Sequence, residues 1–173
     1  NTRTPVETDN PGRDISRTNT KATNISAGGI QAASIKLSTA GLTQAGVISA
    51  TSLDVTNSAG TVVLDQSNTL ADVEIDNTGR DITLTNSATT NISAGGIQGD
   101  IVMLNTAGLT QAGVITATSL DVTNSASTVA LTNNANSLAN VEIDNTGRNV
   151  SLTNSAAMNI SAGGIQGDPD VLN

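Results

Sequence analysis

Carboxylates are the main side chains in this sequence that could do chemistry, and several stand at alternate positions. Asp72, Glu74 and Asp76 lie two residues apart, which puts all three on one face if the segment is a β-strand. Similar rows are found elsewhere in the chain: Glu7 and Asp9; Asn140, Glu142 and Asp144. Ca²⁺ prefers such oxygen ligands, but we favour a solvated acidic face, partly balanced by Arg80 and Arg148, and expect no metal site.

The residue types that most often perform catalysis are missing. The sequence contains no His and no Cys, so neither can serve as a general base or a nucleophile. Carboxylates alone can hydrolyse glycosidic bonds, but such enzymes hold them in one specialised place. The acids of this chain instead follow an internal repeat, so we expect no enzymatic activity and no cofactor.

One phrase, NISAGGIQ, occurs three times: 24–31, 91–98 and 159–166. Each copy begins with an Asn-x-Ser sequon, which makes Asn24, Asn91 and Asn159 candidate glycosylation sites. The alternative is that the sequons arise by chance in a chain rich in Asn and Ser, with Asn filling a turn. The Gly pair of the phrase predicts a tight turn with a positive φ angle.

Composition and charge exclude several functional classes. The chain has 173 residues, a formal net charge of −8 and no aromatic residue. Its seven basic residues form no stripe, and no ring is present to stack on bases, so we expect no nucleic-acid binding. No apolar run approaches the roughly 20 residues that span a bilayer. The chain begins at Asn1 without Met, and we expect a processed product or a fragment.

Internal repeats account for the whole chain. Long phrases recur at an almost constant offset: TAGLTQAGVI starts at Thr39 and Thr106, SLDVTNSA at Ser52 and Ser119, and VEIDNTGR at Val73 and Val141. We divide the single domain, residues 1–173, into repeats 1–67, 68–135 and 136–173, the last one partial. Nothing lies outside the repeat, which is the signature of an architecture built from stacked units.

A finer pattern inside each repeat predicts short strands. An apolar-x-apolar triplet followed by Asn, Ser, Thr or Gly returns about every ten residues, which is typical of strands separated by turns. Because the long repeat stops partway through a third copy, we predict a right-handed parallel β-helix, in which each coil contacts only its neighbours. Each coil would have about 20 residues, so each repeat would contain about three coils. Stacked Asn residues would form side-chain amide ladders.

The two ends depart from the repeat. Near the N-terminus, three apolar positions of the second copy become polar: Leu70, Ile75 and Leu84 correspond to Arg3, Thr8 and Arg17. Near the C-terminus, two more change: Ile101 and Val102 correspond to Pro169 and Asp170. One interpretation is capping of the end coils or wear of the repeat. The other is docking of each end onto the next subunit.

The phrases GLTQAGVITATSLDVTNSA and VALTNNANSLANVEIDNTGRNVSLTNSA resemble the repeat regions of filamentous haemagglutinin-type proteins. The resemblance covers essentially the whole chain and rests on a style of repeat. It implies a right-handed parallel β-helix, export by two-partner secretion to the surface of a Gram-negative bacterium, and a role in adhesion, biofilm or contact-dependent toxin delivery. Some adhesins of this kind are glycosylated at Asn in sequons.

We therefore predict a structural rod segment of a bacterial extracellular fibre or adhesin. Its expected partners are copies of itself joined head to tail, or more copies of the repeat, with cell-surface or matrix contacts. The alternative is a binding module that recognises a glycan or a host surface protein. A lesser alternative is an ice-binding solenoid, prompted by the Thr pairs at 83–85 and 116–118.

Overall fold

A computed structural model of the chain describes residues 4–168 and 170–173, and this part contains strands and turns but no helix. Every strand pairing in it is parallel, and all strands belong to one sheet that winds on itself. The predicted all-β parallel solenoid is therefore confirmed. The strands, numbered in chain order, are β1 Thr4–Thr18, β2 Thr23–Thr39, β3 Leu42–Gln44, β4 Ile48–Asn57, β5 Val62–Asp76, β6 Ile82–Asn86, β7 Thr89–Gln98, β8 Ile101–Thr106, β9 Gly108–Gln111, β10 Ile115–Asn124, β11 Val129–Leu131, β12 Ser137–Asp144, β13 Val150–Leu152, β14 Asn159–Gln166 and β15 Asp170–Leu172.

Register partners trace each coil onto the next. The first column of stacked residues makes eight steps, and it contains Thr4, Thr23, Leu42, Val62, Ile82, Val102, Leu120, Val141 and Ile160. A second column, half a coil away, contains Ile15, Ile35, Leu53, Val73, Ile92 and Gln111. The solenoid thus has about eight turns, and the length of each turn agrees with the coil length that the sequence predicts.

The repeat covers three and a half coils, which refines the predicted value of about three. Leu53 and Leu120 occupy the same position in successive copies of the repeat. Three coil steps from Leu53 end at Gln111, and Leu120 follows half a coil later, in the other column. Successive copies of any phrase therefore alternate between the two columns. The first NISAGGIQ phrase directly follows Thr23 of the first column, the third contains Ile160 of the same column, and the second contains Ile92 of the second column.

The core is a narrow stack of aliphatic side chains. Alternate residues of each strand point inward, as at Val73 and Ile75, which are fully buried. The stack needs no aromatic side chain because each rung holds only a few Ile, Leu, Val or Ala residues. Burial of each large aliphatic side chain contributes about 1.5–3 kcal/mol, and the parallel ladders satisfy the backbone between coils.

Buried amides occupy the corners between strands. Gln44 and Asn68 form a reciprocal pair, with N···O distances of 2.8 and 2.9 Å. The second copy of the repeat builds the same pair from Gln111 and Asn136. At another corner, the Nδ2 of Asn57 donates to the Oδ1 of a second buried Asn in the next coil. The predicted amide ladders are therefore present, but as pairs that span neighbouring coils.

Candidate functional site

A bulge in each NISAGGIQ phrase is the most distinctive local feature of the solenoid. In the second copy, Val73 pairs with Ile92 and Ile75 pairs with Ile97, so the single residue Glu74 lies opposite four residues, 93–96. The first and third copies have the same register shift. We call residues 26–29, 93–96 and 161–164 the glycine bulges. Each interrupts the regular pairing of the parallel strands at the same place in the phrase.

The first glycine of each bulge makes room for a carboxylate from the preceding coil. A Cβ placed on Gly95 would lie 1.9 Å from the Glu74 carboxylate carbon, Cδ. The Gly95 N–H donates to Glu74 Oε2 at 3.2 Å. The third copy repeats this hydrogen bond between Gly163 and Glu142, also at 3.2 Å. The repeated glutamates at this position therefore have a structural partner, which a reading of strand alternation alone does not reveal.

Sequence reasoning missed this contact, although a signal for it exists. In all three copies the glycine follows the glutamate at the same separation, close to one coil: Glu7 and Gly28, Glu74 and Gly95, Glu142 and Gly163. A search for pairs at one coil length would have found it.

The second glycine of the bulge is held by the following coil. Gly96 has a φ of +83°, and a Cβ on it would lie 2.1 Å from the carbonyl oxygen of Val114. In return, a Cβ on Gly113 would lie 1.9 Å from the carbonyl oxygen of Ser93. The first copy builds the same close approach with Gly29, Val47, Gly46 and Ser26. The bulge and the Gln-Ala-Gly-Val turn of the next coil can therefore pack this closely only because each carries a glycine where the two backbones meet.

The third bulge has no coil above it among the described residues. Nothing lies within 4 Å of the position where a Cβ on Gly164 would stand. Ile160 is 52% exposed, whereas its counterparts Ile25 and Ile92 are fully buried. Val171 and Leu172 in the same coil are also exposed. The last coil thus presents an apolar edge with unpaired strand backbone, a surface that invites pairing.

The predicted end residues are only partly within the described range. Thr8 is the register partner of Ile30, and Arg17 is the register partner of Leu37, so both polar residues occupy positions that are apolar in the second coil. Arg3 and Pro169 lie outside the described residues. The backbone of Asp170 forms part of β15 and pairs with Val150. Whether these residues cap the ends or dock onto another subunit stays a prediction.

Acidic and basic side chains line up in register on one flank. Lys36, Asp54 and Glu74 are consecutive partners across three coils, and Lys36 Nζ donates to Asp54 Oδ2. This hydrogen bond, and then the charge of Asp54, raise the pKa of Lys36 above its ordinary value. Because Lys36 is largely exposed, the ion pair contributes little to stability.

The second copy keeps the acids but lacks the lysine. Met103, Asp121 and Glu142 are the corresponding partners. Partial burial, and then the charge of Glu142, raise the pKa of Asp121 above its ordinary value. No three His, Cys, Asp or Glu side chains within residues 4–168 and 170–173 are grouped closely enough to hold a metal ion.

The sequon asparagines lie within strands and contact neighbouring coils. Asn91 donates to Asp72 Oδ1 at 2.8 Å and accepts from Thr110 at 3.2 Å. Asn24 accepts from the Thr43 hydroxyl. Asn159, in the uncovered last coil, is exposed and makes one long contact of 3.4 Å. Asn159 is the most exposed of the three residues, and glycosylation of all three stays a prediction.

Shallow grooves on the surface also follow the repeat. One of about 320 Å³ is lined by small residues such as Ala32, Ala50 and Thr51, and another of about 350 Å³ is lined by their counterparts Ala117 and Thr118. A third, about 590 Å³, lies beside Lys21 and turn residues of the next two coils. None of the three combines charged or buried polar groups in a way that would select a ligand.

Within the part of the chain that the structure describes, no helix has the length and apolar character needed to cross a membrane. No family model, no curated protein and no solved structure matches this chain. The resemblance to filamentous haemagglutinin-type repeats therefore stays a prediction, and the fold carries the functional argument.

Proposed function

We propose that this chain is a structural rod segment of a bacterial extracellular fibre or adhesin, with no catalytic role. The observation that carries the proposal is the unbroken stacking of all three repeats in one solenoid, in which each coil contacts only the coils before and after it. Length then grows with every repeat while the cross-section stays constant. The first two copies share the buried Gln–Asn pairs and the close packing of the glycine bulges, which a spacer requires to keep its coils stacked.

The resemblance of the repeat phrases to filamentous haemagglutinin-type proteins supports an extracellular place. Labelling of intact source cells with an antibody against the purified chain tests the location. We expect label on surface fibres of unpermeabilised cells. Label that appears only after the cells are opened would contradict the proposal.

One observation favours a second candidate, a flank that contacts another surface protein. Ile101 and Met103 are exposed on β8, where the first copy of the repeat has Ser34 and Lys36. A pure spacer does not need this apolar pair. If the flank binds a host surface protein, beads coated with the chain should adhere to host cells. Their adhesion should fall when Ile101 is changed to Ser and Met103 to Lys, the residues of the first copy. Unchanged adhesion would exclude this flank.

Ice binding has less support. Thr83 lies between Val63 and Met103 in the stacked coils, so no rank of threonines forms there. A flat ice-binding face needs the same residue on successive rungs.

A further inference from the structure

We infer that the last coil, residues 159–168 and 170–172, receives a coil of the Leu-Thr-Gln-Ala-Gly-Val-Ile type from a further repeat of the same sequence. This inference rests on the proposed function as a rod segment and adds the rule by which the rod extends. The rule is that a glycine bulge accepts only a coil that carries glycine at the matching position.

The two covered bulges show what the receiving surface needs. In the first copy, Ala45 N–H donates to Ile25 O at 2.7 Å, and Ile30 N–H donates to Val47 O at 3.0 Å. In the second copy, the equivalent bonds join Ala112 to Ile92 at 2.8 Å and Ile97 to Val114 at 2.9 Å. The same two bonds thus clamp the turn at both ends of each bulge.

A glutamine side chain fixes the shape of the covering turn. The Nε2 of Gln44 donates to the carbonyl of Gly46 at 2.7 Å, and that of Gln111 donates to the carbonyl of Gly113 at 2.7 Å. Each glutamine is also the register partner of the isoleucine that precedes the bulge below it, Ile25 or Ile92. The sequence Gln-Ala-Gly-Val therefore supplies the turn, its internal hydrogen bond and the required glycine together.

The third bulge offers the same surface without its cover. Ile160 and Ile165 pair with Val141 and Ile143 of the coil below, as Ile92 and Ile97 pair in the second copy. Gly164 keeps the positive φ, +78°, that the covered glycines have. The bulge is thus already in its receiving conformation, and the exposed Leu172 continues the apolar edge beyond it.

The first coil of a second copy is a poorer occupant. Thr4 and Ile15 have the same separation in sequence as Leu42 and Leu53, the inward residues of the coil that covers the first bulge. Superposing these spacings puts Thr8 at the position of Gly46. A Cβ at that position would lie 2.3 Å from a carbonyl oxygen of the bulge. Head-to-tail stacking of unmodified copies would therefore meet a steric clash.

Three extended proteins test the inference. The first carries the sequence of residues 39–67 after Asn173, which continues the phase of the repeat because Asn173 corresponds to Ser38. The second carries the same extension with Val at the glycine equivalent to Gly46. The third carries the sequence of residues 1–29. Backbone amide hydrogen exchange in residues 159–166 is measured in each and compared with the unextended chain.

We expect the first extension to slow exchange of the Ile160 and Ile165 amides at least tenfold, and the other two to leave it nearly unchanged. Equal protection by the Val variant or by the first-coil extension would overturn the inference, as would no protection by the first extension.

A second measurement, urea unfolding, keeps the inference testable if an extension misfolds locally. Ile160→Ser should lower the urea midpoint of the first extended protein more than that of the unextended chain, and equal effects would also count against the inference. Neither result depends on where the protein is located, so the inference and the proposed function can fail separately.

Discussion

Asn68 is fully buried, yet its amide is completely hydrogen-bonded. Its Oδ1 accepts from Gln44 Nε2 and from the Ile48 N–H, each at 2.8 Å. Its Nδ2 donates to Gln44 Oε1 and to the Thr85 carbonyl. A buried polar side chain is tolerated at this corner because every donor and acceptor has a partner.

Loss of this amide should be costly. Asn68→Ala leaves the Gln44 amide and the Ile48 N–H without their buried partner, and an unsatisfied buried group costs about 1–3 kcal/mol. We expect the free energy of unfolding, measured with urea, to fall by at least about 1 kcal/mol. Asn105→Ala, at an exposed position, is the matched control and should change it by less than about 0.5 kcal/mol. Equal effects of the two variants would contradict this role.

The two copies of the acidic row differ by one cation, which gives a second prediction. Met103→Lys places an ammonium beside Asp121, as Lys36 stands beside Asp54. Cross-strand pairs of this kind contribute about 0.2–1 kcal/mol, so the variant should be slightly more stable at pH 7. The pKa of Asp121, followed by NMR, should fall. A pKa that stays raised would mean that burial alone controls this carboxyl.

The sign of the pH dependence follows from the direction of the shift. Because the pKa of Asp121 is raised in the folded state, its contribution to stability is present below the unfolded pKa and is lost as pH rises through the folded pKa. Asp121→Asn should therefore stabilise the protein slightly at pH 7 and have less effect below pH about 4, near the ordinary aspartate pKa. Urea unfolding at several pH values measures this difference. A larger gain at low pH would contradict it.

At the scale of the element, the glycine bulge combines a positive φ with a close backbone approach. A comparison of two glycines separates the cost of the positive φ from the cost of the close approach. Gly79 has a φ of +72° but open space around it, whereas Gly96 has a φ of +83° and a backbone carbonyl at its Cβ position. Gly79→Ala should cost about 1–2 kcal/mol for the left-handed conformation. Gly96→Ala should cost about 1–3 kcal/mol more, because the Val114 coil must move.

Thermal and urea unfolding of the two variants measure the difference. Gly95→Ala is the third member of the set, since its new Cβ would meet the movable end of the Glu74 side chain rather than backbone. We expect its cost to be smaller than that of Gly96→Ala. If Gly79→Ala and Gly96→Ala proved equally costly, the close approach of the next coil would contribute nothing.

The sequence predicts the strands and their stacking but not how many coils each repeat spans. Apolar triplets and turn residues give strands such as Ile82–Asn86, and the exact repeat gives the solenoid. The number of coils per repeat escaped prediction because coil length varies. The step from Ile75 to Ile97 passes around the bulge and takes more of the chain than the next step, from Ile97 to Ile115. A mean coil length hides this alternation, which depends on contacts between coils.

The candidate site was predictable only in part. Sequence patterns predict the Gly pair as a turn and the end residues as altered, and the structure adds the contacts that explain the glycines. The pairing of Glu74 with Gly95 requires knowledge of which coil lies beside which. The exposure of Ile160 equally depends on its position in the stack, because the same residue in the same phrase is buried in the other two copies.

At the scale of the whole molecule, position along the rod follows position in the sequence. Adjacent strands lie about 4.8 Å apart, so each repeat of three and a half coils should add about 17 Å of length. Two repeats make seven coils and return each phrase to its original column. At the same strand spacing, a fibre built from such repeats should have an axial period of about 34 Å. The NISAGGIQ bulges should then alternate between its two sides every half period.

The most direct test of the central claim is the length of the rod measured by small-angle X-ray scattering for proteins with one, two and three additional repeats of residues 68–135. If the repeats form one continuous solenoid, the maximum dimension grows by about 17 Å per repeat while the cross-sectional radius of gyration stays constant. A growing cross-section would contradict a continuous solenoid rod. So would a length increase that varies among the three proteins and exceeds this value, as flexibly linked units would give.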